Sequence, residues 1–312
     1  MASNQAEDKN QIDFYQKNYL TLAEYHLSSG KKVYFGDRKN RKCRFCGKNS
    51  GDTTFNMLAH ALPEFIGNKT LISNDECDIC NERFSRTIED HFAKSLGLPR
   101  TLNQIRGKKG VPSFKDKNLR IDHKLSEPNL ILAPDQQDDR IVVLLEDTRQ
   151  ISLEAKSQPY VPIAIYKCLT KMAISIMPEP ELLHFEEAKQ WINMETHNSE
   201  SLNYPLKCYL AFTDEVKPFD GNIHTFLLKR KNTTDPVPYM IYIVAFGTCF
   251  FQIVVPCPKL DHKDKPISLE WFPLAPYTSY PYGEYKYEIR DLSSNEEVKD
   301  TFEISWKYES KS

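Results

Sequence analysis

Residues 43–48, CRFCGK, and residues 76–90, ECDICNERFSRTIED, enclose the run 59–68, AHALPEFIGN, and this arrangement decides how the chain is read. Cys43, Cys46, Cys77 and Cys80 form two CxxC pairs, and four thiolates are the complement of a tetrahedral structural zinc site. His60 lies between the pairs. With four cysteines filling the zinc shell, its imidazole is left for chemistry. A neutral imidazole, with an ordinary pKa of about 6.5, is a suitable general base near neutral pH.

Working outward, residues 55–62 and 69–73 read as two short strands joined through Pro63 and the Gly67-Asn68 turn. Residues 81–96 read as a helix, because Phe84, Ile88, Phe92 and Leu96 recur at four-residue steps and Gly97 with Pro99 supplies a stop. Upstream, residues 10–27 read as one helix on the spacing of Ile12, Tyr15, Tyr19, Leu22 and His26, and residues 31–35 as a short strand. Downstream, residues 130–133 and 140–145 are expected to pair across an acidic turn, and residues 159–176 and 179–194 to form two helices. From Pro205 onward, strands are expected at 208–212, 224–229, 239–246, 250–255, 284–289 and 301–306. The fold class is therefore α+β, with an antiparallel sheet in the C-terminal half. The expected units are a helical segment at 1–30, the zinc-braced unit at 31–98, a basic connector with a hairpin at 99–158, and the α+β unit at 159–312.

A net charge of −2 conceals an asymmetry: residues 1–124 carry 22 Lys+Arg against 15 Asp+Glu, leaving 19 against 28 for the rest. The positive half is the half with the zinc spacing. Lys39, Arg41, Lys42 and Arg44 precede His60, and Lys108 and Lys109 follow the helix. Such flanks suit nucleic-acid phosphates and give salt-sensitive, sequence-independent binding. The residues from Met1 to Asp13 are polar and lack a signal-peptide core, and the other four cysteines sit among apolar residues, so a reducing, cytoplasmic setting is expected. Residues 239–255 form the longest apolar stretch, but they are rich in β-branched and aromatic residues and are interrupted by Gly247. They read as buried strands, with no membrane partner.

The three quoted runs together resemble the HNH endonucleases of the ββα-metal class, in the branch whose hairpin and helix are braced by two CxxC pairs. The resemblance covers residues 43–96. It implies a ββα-metal core with a structural Zn2+ knuckle, and hydrolysis of DNA with Mg2+ or Mn2+ as the catalytic ion. His60 takes the place of the general base. The middle Asn of the motif, which fixes the loop by hydrogen bonds to backbone, falls on Asn68 or Asn74, and Asn68 is equally well placed as a turn residue after Gly67. Asn81 takes the terminal position, where an amide oxygen ligates the catalytic cation, and a plain helix N-cap is the other reading of it. In one common form of the motif an acidic residue or second His precedes the base, and here that position is Ala59. Glu89 is the first candidate to supply the missing donor, with Glu82, His91, Asp75 or a backbone carbonyl as others.

The C-terminal half carries no catalytic constellation. Its Tyr277, Tyr280, Tyr282, Tyr285 and Tyr287 suit either base stacking or ordinary cross-strand packing. A regulatory role is expected for it, through a protein partner or a small-molecule signal, and the N-terminal helix offers a surface for a homo-oligomer. HNH proteins with an unrelated C-terminal extension often serve bacterial defence against phage, so the resemblance extends the expectation to that setting. A non-catalytic zinc-knuckle module that binds nucleic acid or a protein is the alternative, and Ala59 is the residue that favours it.

Overall fold

The computed structural model describes residues 2–28, 30–116, 119–124, 127–132, 143–145, 150–197, 202, 204–213, 221–261, 269–273 and 285–307. The chain opens with α1 (Ala2–Asn18), β1 (Tyr19–Leu27), β2 (Val33–Phe35), β3 (Ala59–His60) and β4 (Leu71–Ser73). Next come α2 (Asp78–Phe84), α3 (Asp90–Ser95), α4 (Gly97–Leu102), β5 (Phe114–Asp116), β6 (Leu119–Lys124), β7 (Glu127–Leu132), β8 (Val143–Leu145) and β9 (Gln150–Lys156). The remainder holds α5 (Pro162–Ile176), α6 (Glu179–Leu182), α7 (Glu186–Asn193), β10 (Lys207–Phe212), β11 (Ile223–Arg230), β12 (Met240–Phe246), β13 (Cys249–Val254), β14 (Lys286–Asp291) and β15 (Thr301–Lys307). The fold is α+β.

Its largest layer is a six-stranded sheet in the order β1-β11-β12-β13-β10-β14, antiparallel throughout. Every residue of β12 and β13 is buried, which is why each strand reads as a largely apolar run with no polar alternation. On one face Leu227, Tyr242, Val244, Phe246, Phe251 and Ile253 join the core that contains α5 and three of the zinc-site cysteines, Cys43, Cys77 and Cys80. On the other, Phe226, Ile241, Ile243, Ala245 and Phe250 pack against Tyr15 and Tyr19 from the N-terminal segment and against Phe272. No helix among the described residues is long and apolar enough to cross a membrane.

Several sequence expectations are corrected. The helix expected over 10–27 ends at Asn18, and Tyr19–Leu27 is instead the edge strand β1, paired from Tyr19↔Arg230 to Leu27↔Ile223. Pairing with β11 and burial of Tyr19, Ala23 and Leu27 outweigh the helical spacing of the apolar residues. The strands flanking the acidic turn do not pair with each other: β7 pairs with β6, and β8 with β9. Residues 133–142 between them lie outside the described residues. The helix ends where expected, at Ser95 with Leu96 as its C-cap, but Gly97 and Pro99 then open a further short helix, α4, since a first turn needs no backbone N–H from a proline. The helix expected to begin at Asn81 begins a turn earlier at Asp78, and a π-helical turn, Ser85–Glu89, divides α2 from α3. The helix expected over 179–194 is broken by a 3-10 turn, Leu183–Phe185. The expected C-terminal strands are all present, with shifts of a residue or two at their ends, although β15 joins β9 in a separate sheet.

Candidate active site and metal centre

Two local structures bring the four cysteines together. The first pair lies in a tight knuckle closed by the Gly47 N–H to the Cys43 carbonyl and the Cys43 N–H to the Lys48 carbonyl, both 2.8 Å. Gly47 has a φ of 74°, a left-handed conformation that glycine adopts without strain. In the second pair Cys77 is the N-cap of α2 and Cys80 lies in its first turn. Asp78 fixes that turn by accepting from the Thr54 hydroxyl at 2.5 Å and from the Asn56 and Met57 amides at 3.0 and 2.8 Å.

All four Sγ atoms lie within 4.8 Å of one another, and Cys46 and Cys77 are 3.7 Å apart. Tetrahedral Zn–S bonds of about 2.3 Å require sulfurs about 3.8 Å apart, whereas a disulfide requires about 2.05 Å. The donor set therefore fits zinc. A hydrogen bond from Cys80 lowers the pKa of the Cys43 thiol, toward the thiolate that a metal needs, and raises that of Cys80 in turn.

The His60 side of the site is a small three-stranded sheet, β2-β4-β3. His60 faces Ile72 across the antiparallel β3–β4 pair. Asn68 is the clamp between these strands. Its Nδ2 donates to the Leu62 and Leu71 carbonyls at 2.6 and 3.0 Å, and its Oδ1 accepts from the Thr70 and Leu71 amides at 3.1 and 2.9 Å. Gly67, with φ 100°, makes the turn that delivers it. Asn74 has only a 3.4 Å approach to the Gly36 carbonyl and is not part of this clamp.

The His60 side chain is 13% exposed, and its Nδ1 lies 4.0 Å from Glu64 Oε2, beyond hydrogen-bond range. Burial holds its pKa below the ordinary imidazole value, Glu64 opposes this, and the charges of Lys171, Lys69 and Lys32 lower it further. The neutral, proton-accepting form is thereby favoured.

Behind His60 stands a residue the sequence reading missed. Lys171, fully buried on α5, donates to the His60 carbonyl at 3.1 Å and pairs with Glu76 Oε2 at 3.1 Å and Glu89 Oε1 at 3.3 Å. Burial works against the Lys171 charge, but the two carboxylates outweigh it and raise its pKa. Burial pushes Glu76 up to about 7 against the pull of Lys171. Glu89, expected to complete the catalytic cation shell, is thus engaged by a lysine, which counts against that role. The signal was present in the sequence as a lysine inside an apolar helix, since such residues are buried only when paired.

Residues 43–97 match the family model of HNH endonucleases. Comparisons with curated proteins and with solved structures gave no match. The HNH segment and the helix behind it are joined by polar contacts at several points. Arg44, expected to contact nucleic acid, pairs with Asp75 at 2.5 Å and caps α5 through the Ile174, Ser175 and Met177 carbonyls at 2.6, 2.9 and 3.1 Å. Its side chain is only 8% exposed, so it is withdrawn from the phosphate-binding set. His91 Nδ1 accepts from the Val161 amide at 3.1 Å, just ahead of α5. Asn193, at the end of α7, donates to the Phe45 carbonyl inside the knuckle at 3.1 Å.

Asn81 lies in the fourth helical position, its N–H bonded to the Cys77 carbonyl at 2.9 Å, so it is not the N-cap. Its side chain is half-buried and has no hydrogen-bond partner among the described residues. Among the expected phosphate contacts, Lys39, Lys42, Lys108 and Lys109 are exposed, Lys42 at the Lys42↔Asn49 bridge. Lys108 is close enough to Glu64 to help hold its carboxyl below the ordinary value, which places a positive charge near His60. Arg41 is partly committed, donating to the Phe55 carbonyl with its guanidinium 5.8 Å from the Phe55 ring centre.

Proposed function

We propose that the protein is a metal-dependent endonuclease that hydrolyses DNA phosphodiester bonds, with His60 as general base. The observation that carries this reading is a largely buried, neutral-leaning His60 on a hairpin clamped by Asn68, in a segment matching HNH endonucleases. His60 removes a proton from water as the water oxygen attacks phosphorus. The bond to the 3′ oxygen breaks, the 3′ oxygen takes up a proton, and the products are a 5′-phosphate and a 3′-hydroxyl. Lys69 and Lys108, beside Glu64, add positive charge where the phosphate would lie.

The uncommitted amide of Asn81 suits a hard cation such as Mg2+ or Mn2+, which keeps several waters and takes further ligands from substrate phosphate. Such an ion, when bound, would stabilise charge on the leaving oxygen. Among the described residues the four cysteines form the one cluster of three or more His, Cys, Asp or Glu side chains able to hold a metal, so the protein's own catalytic shell is sparse. Control by the C-terminal unit, through a partner, a small molecule or self-association, is part of the proposal and rests on the α5 contacts to the site. A place in bacterial anti-phage defence rests on resemblance alone.

Supercoiled plasmid DNA tests the proposal. Wild-type protein is expected to nick or linearise it with Mg2+ or Mn2+ and not in cation-free buffer, and His60→Ala is expected to lose the activity. Failure to digest DNA or RNA with either cation would contradict it. Ala59 and the engagement of Glu89 favour a second reading, a non-catalytic zinc-knuckle module, which predicts salt-sensitive DNA binding without cleavage.

A further inference from the structure

Beside the His60 strand runs an open groove of about 200 Å³, lined in part by Tyr34, Arg38, Phe55, Met57, Leu58 and Asn74. Its lining is unusual for a solvent-facing surface. Tyr34, Met57 and Leu58 are 52%, 52% and 53% exposed, so large apolar side chains converge where they could have been spread apart. Arg38 is exposed at the rim, and Asn56 and Asn74 supply amide groups.

Strand register relates this groove to the catalytic histidine. Tyr34 lies opposite Ile72 in the parallel β2–β4 pair, and Ile72 lies opposite His60 in the β4–β3 pair. Residues in facing register project from the same side of a sheet, so Tyr34 and His60 share one face, two strand spacings or about 10 Å apart. That is the reach of a neighbouring nucleotide. An exposed ring and an exposed guanidinium lining one groove are the combination that holds unpaired nucleic acid, the ring against a base and the cation against a phosphate. In an intact duplex the base faces are stacked and closed to Tyr34.

The geometry points to this groove as the seat of an unpaired nucleotide in the strand whose phosphate lies at His60, a reading that rests on the proposed nuclease function. Tyr34 stacks on the base, Arg38 neutralises the adjoining phosphate, and Asn74 offers hydrogen bonds to the base edge. The substrate class is thereby narrowed to single strands, or duplexes with a displaced base.

Binding in a cleavage-silent background tests this separately from catalysis. Full-length His60→Ala protein is titrated into fluorescein-labelled single-stranded DNA, single-stranded RNA and duplex DNA of one sequence, with fluorescence anisotropy as the readout. Single strands are expected to bind more tightly than duplex. Adding Tyr34→Ala should weaken single-strand binding about tenfold with little effect on duplex, while Tyr34→Trp restores it. Arg38→Ala should weaken binding and flatten its salt dependence. A Tyr34-dependent preference for the RNA over the DNA strand would assign the groove to RNA. Unchanged single-strand binding by Tyr34→Ala, or equal loss on single strand and duplex, overturns the proposal. If the wild-type protein cleaves plasmid yet Tyr34 proves irrelevant, the groove fails and the nuclease reading stands; if it does not cleave, the binding contrast still decides the groove.

Discussion

His60 combines an ordinary side chain with a perturbed setting, and the perturbation has a consequence for pH. A general base works in its neutral form, and burial with the charges of Lys171, Lys69 and Lys32 lowers the pKa of this imidazole, Glu64 opposing. The neutral fraction therefore survives to lower pH than for a free histidine, and the acid limb of the cleavage–pH profile should lie below about 6.5. Replacing Glu64 with Gln removes the one opposing charge and should move that limb lower still. A limb at or above the ordinary value, unmoved by Glu64→Gln, would show that His60 is not the titrating base. The cysteines and His60 were legible in the sequence because their spacing is itself the signal. Asn68 and Asn74 were separated only by the structure, since the clamp depends on which carbonyls a turn brings within reach. Lys171 was legible only as a lysine in an apolar helix that needs a partner; it lies far from His60 in the chain, and nothing local says which carbonyl its ammonium meets.

Helix α5 and the zinc knuckle act as one assembly, and Arg44 is the joint. Its guanidinium satisfies carbonyls at the C-terminus of α5, where the helix dipole favours a cation, and it pairs with Asp75 next to the second CxxC pair. Arg44→Ala should cost about 3 kcal/mol of stability in urea unfolding, because a largely buried ion pair and several charge-assisted bonds are lost together. DNA affinity should fall only as far as folding does. Lys108→Ala and Lys109→Ala should behave oppositely, changing stability by less than about 0.5 kcal/mol while each lowers the salt slope of DNA binding by about one. A stable Arg44→Ala protein with a reduced salt slope would return Arg44 to the phosphate-binding set. Helix α5 and the central strands could be read from their apolar pattern, because burial is what that pattern encodes. Strand β1 could not, since Tyr19–Leu27 carries a helical spacing of apolar residues and becomes a strand only when β11 offers its edge.

Across the molecule a single apolar core runs from the cysteine knuckle through α5 to one face of the six-stranded sheet, while the N-terminal strand closes an edge of that sheet. The HNH segment is therefore packed into the fold, its His60 carbonyl held by a helix beyond the family match. Zinc binding and the proposed catalysis are separable in this reading, since it assigns four thiols to the first and the His60 imidazole to the second. Zinc content, circular dichroism and plasmid cleavage, taken on the same preparations of wild type, His60→Ala and Cys77→Ser, test that division. His60→Ala should keep its zinc and its fold and lose cleavage, whereas Cys77→Ser should lose zinc and fold together. Equal loss of zinc in both variants, or undiminished cleavage by His60→Ala, would contradict it.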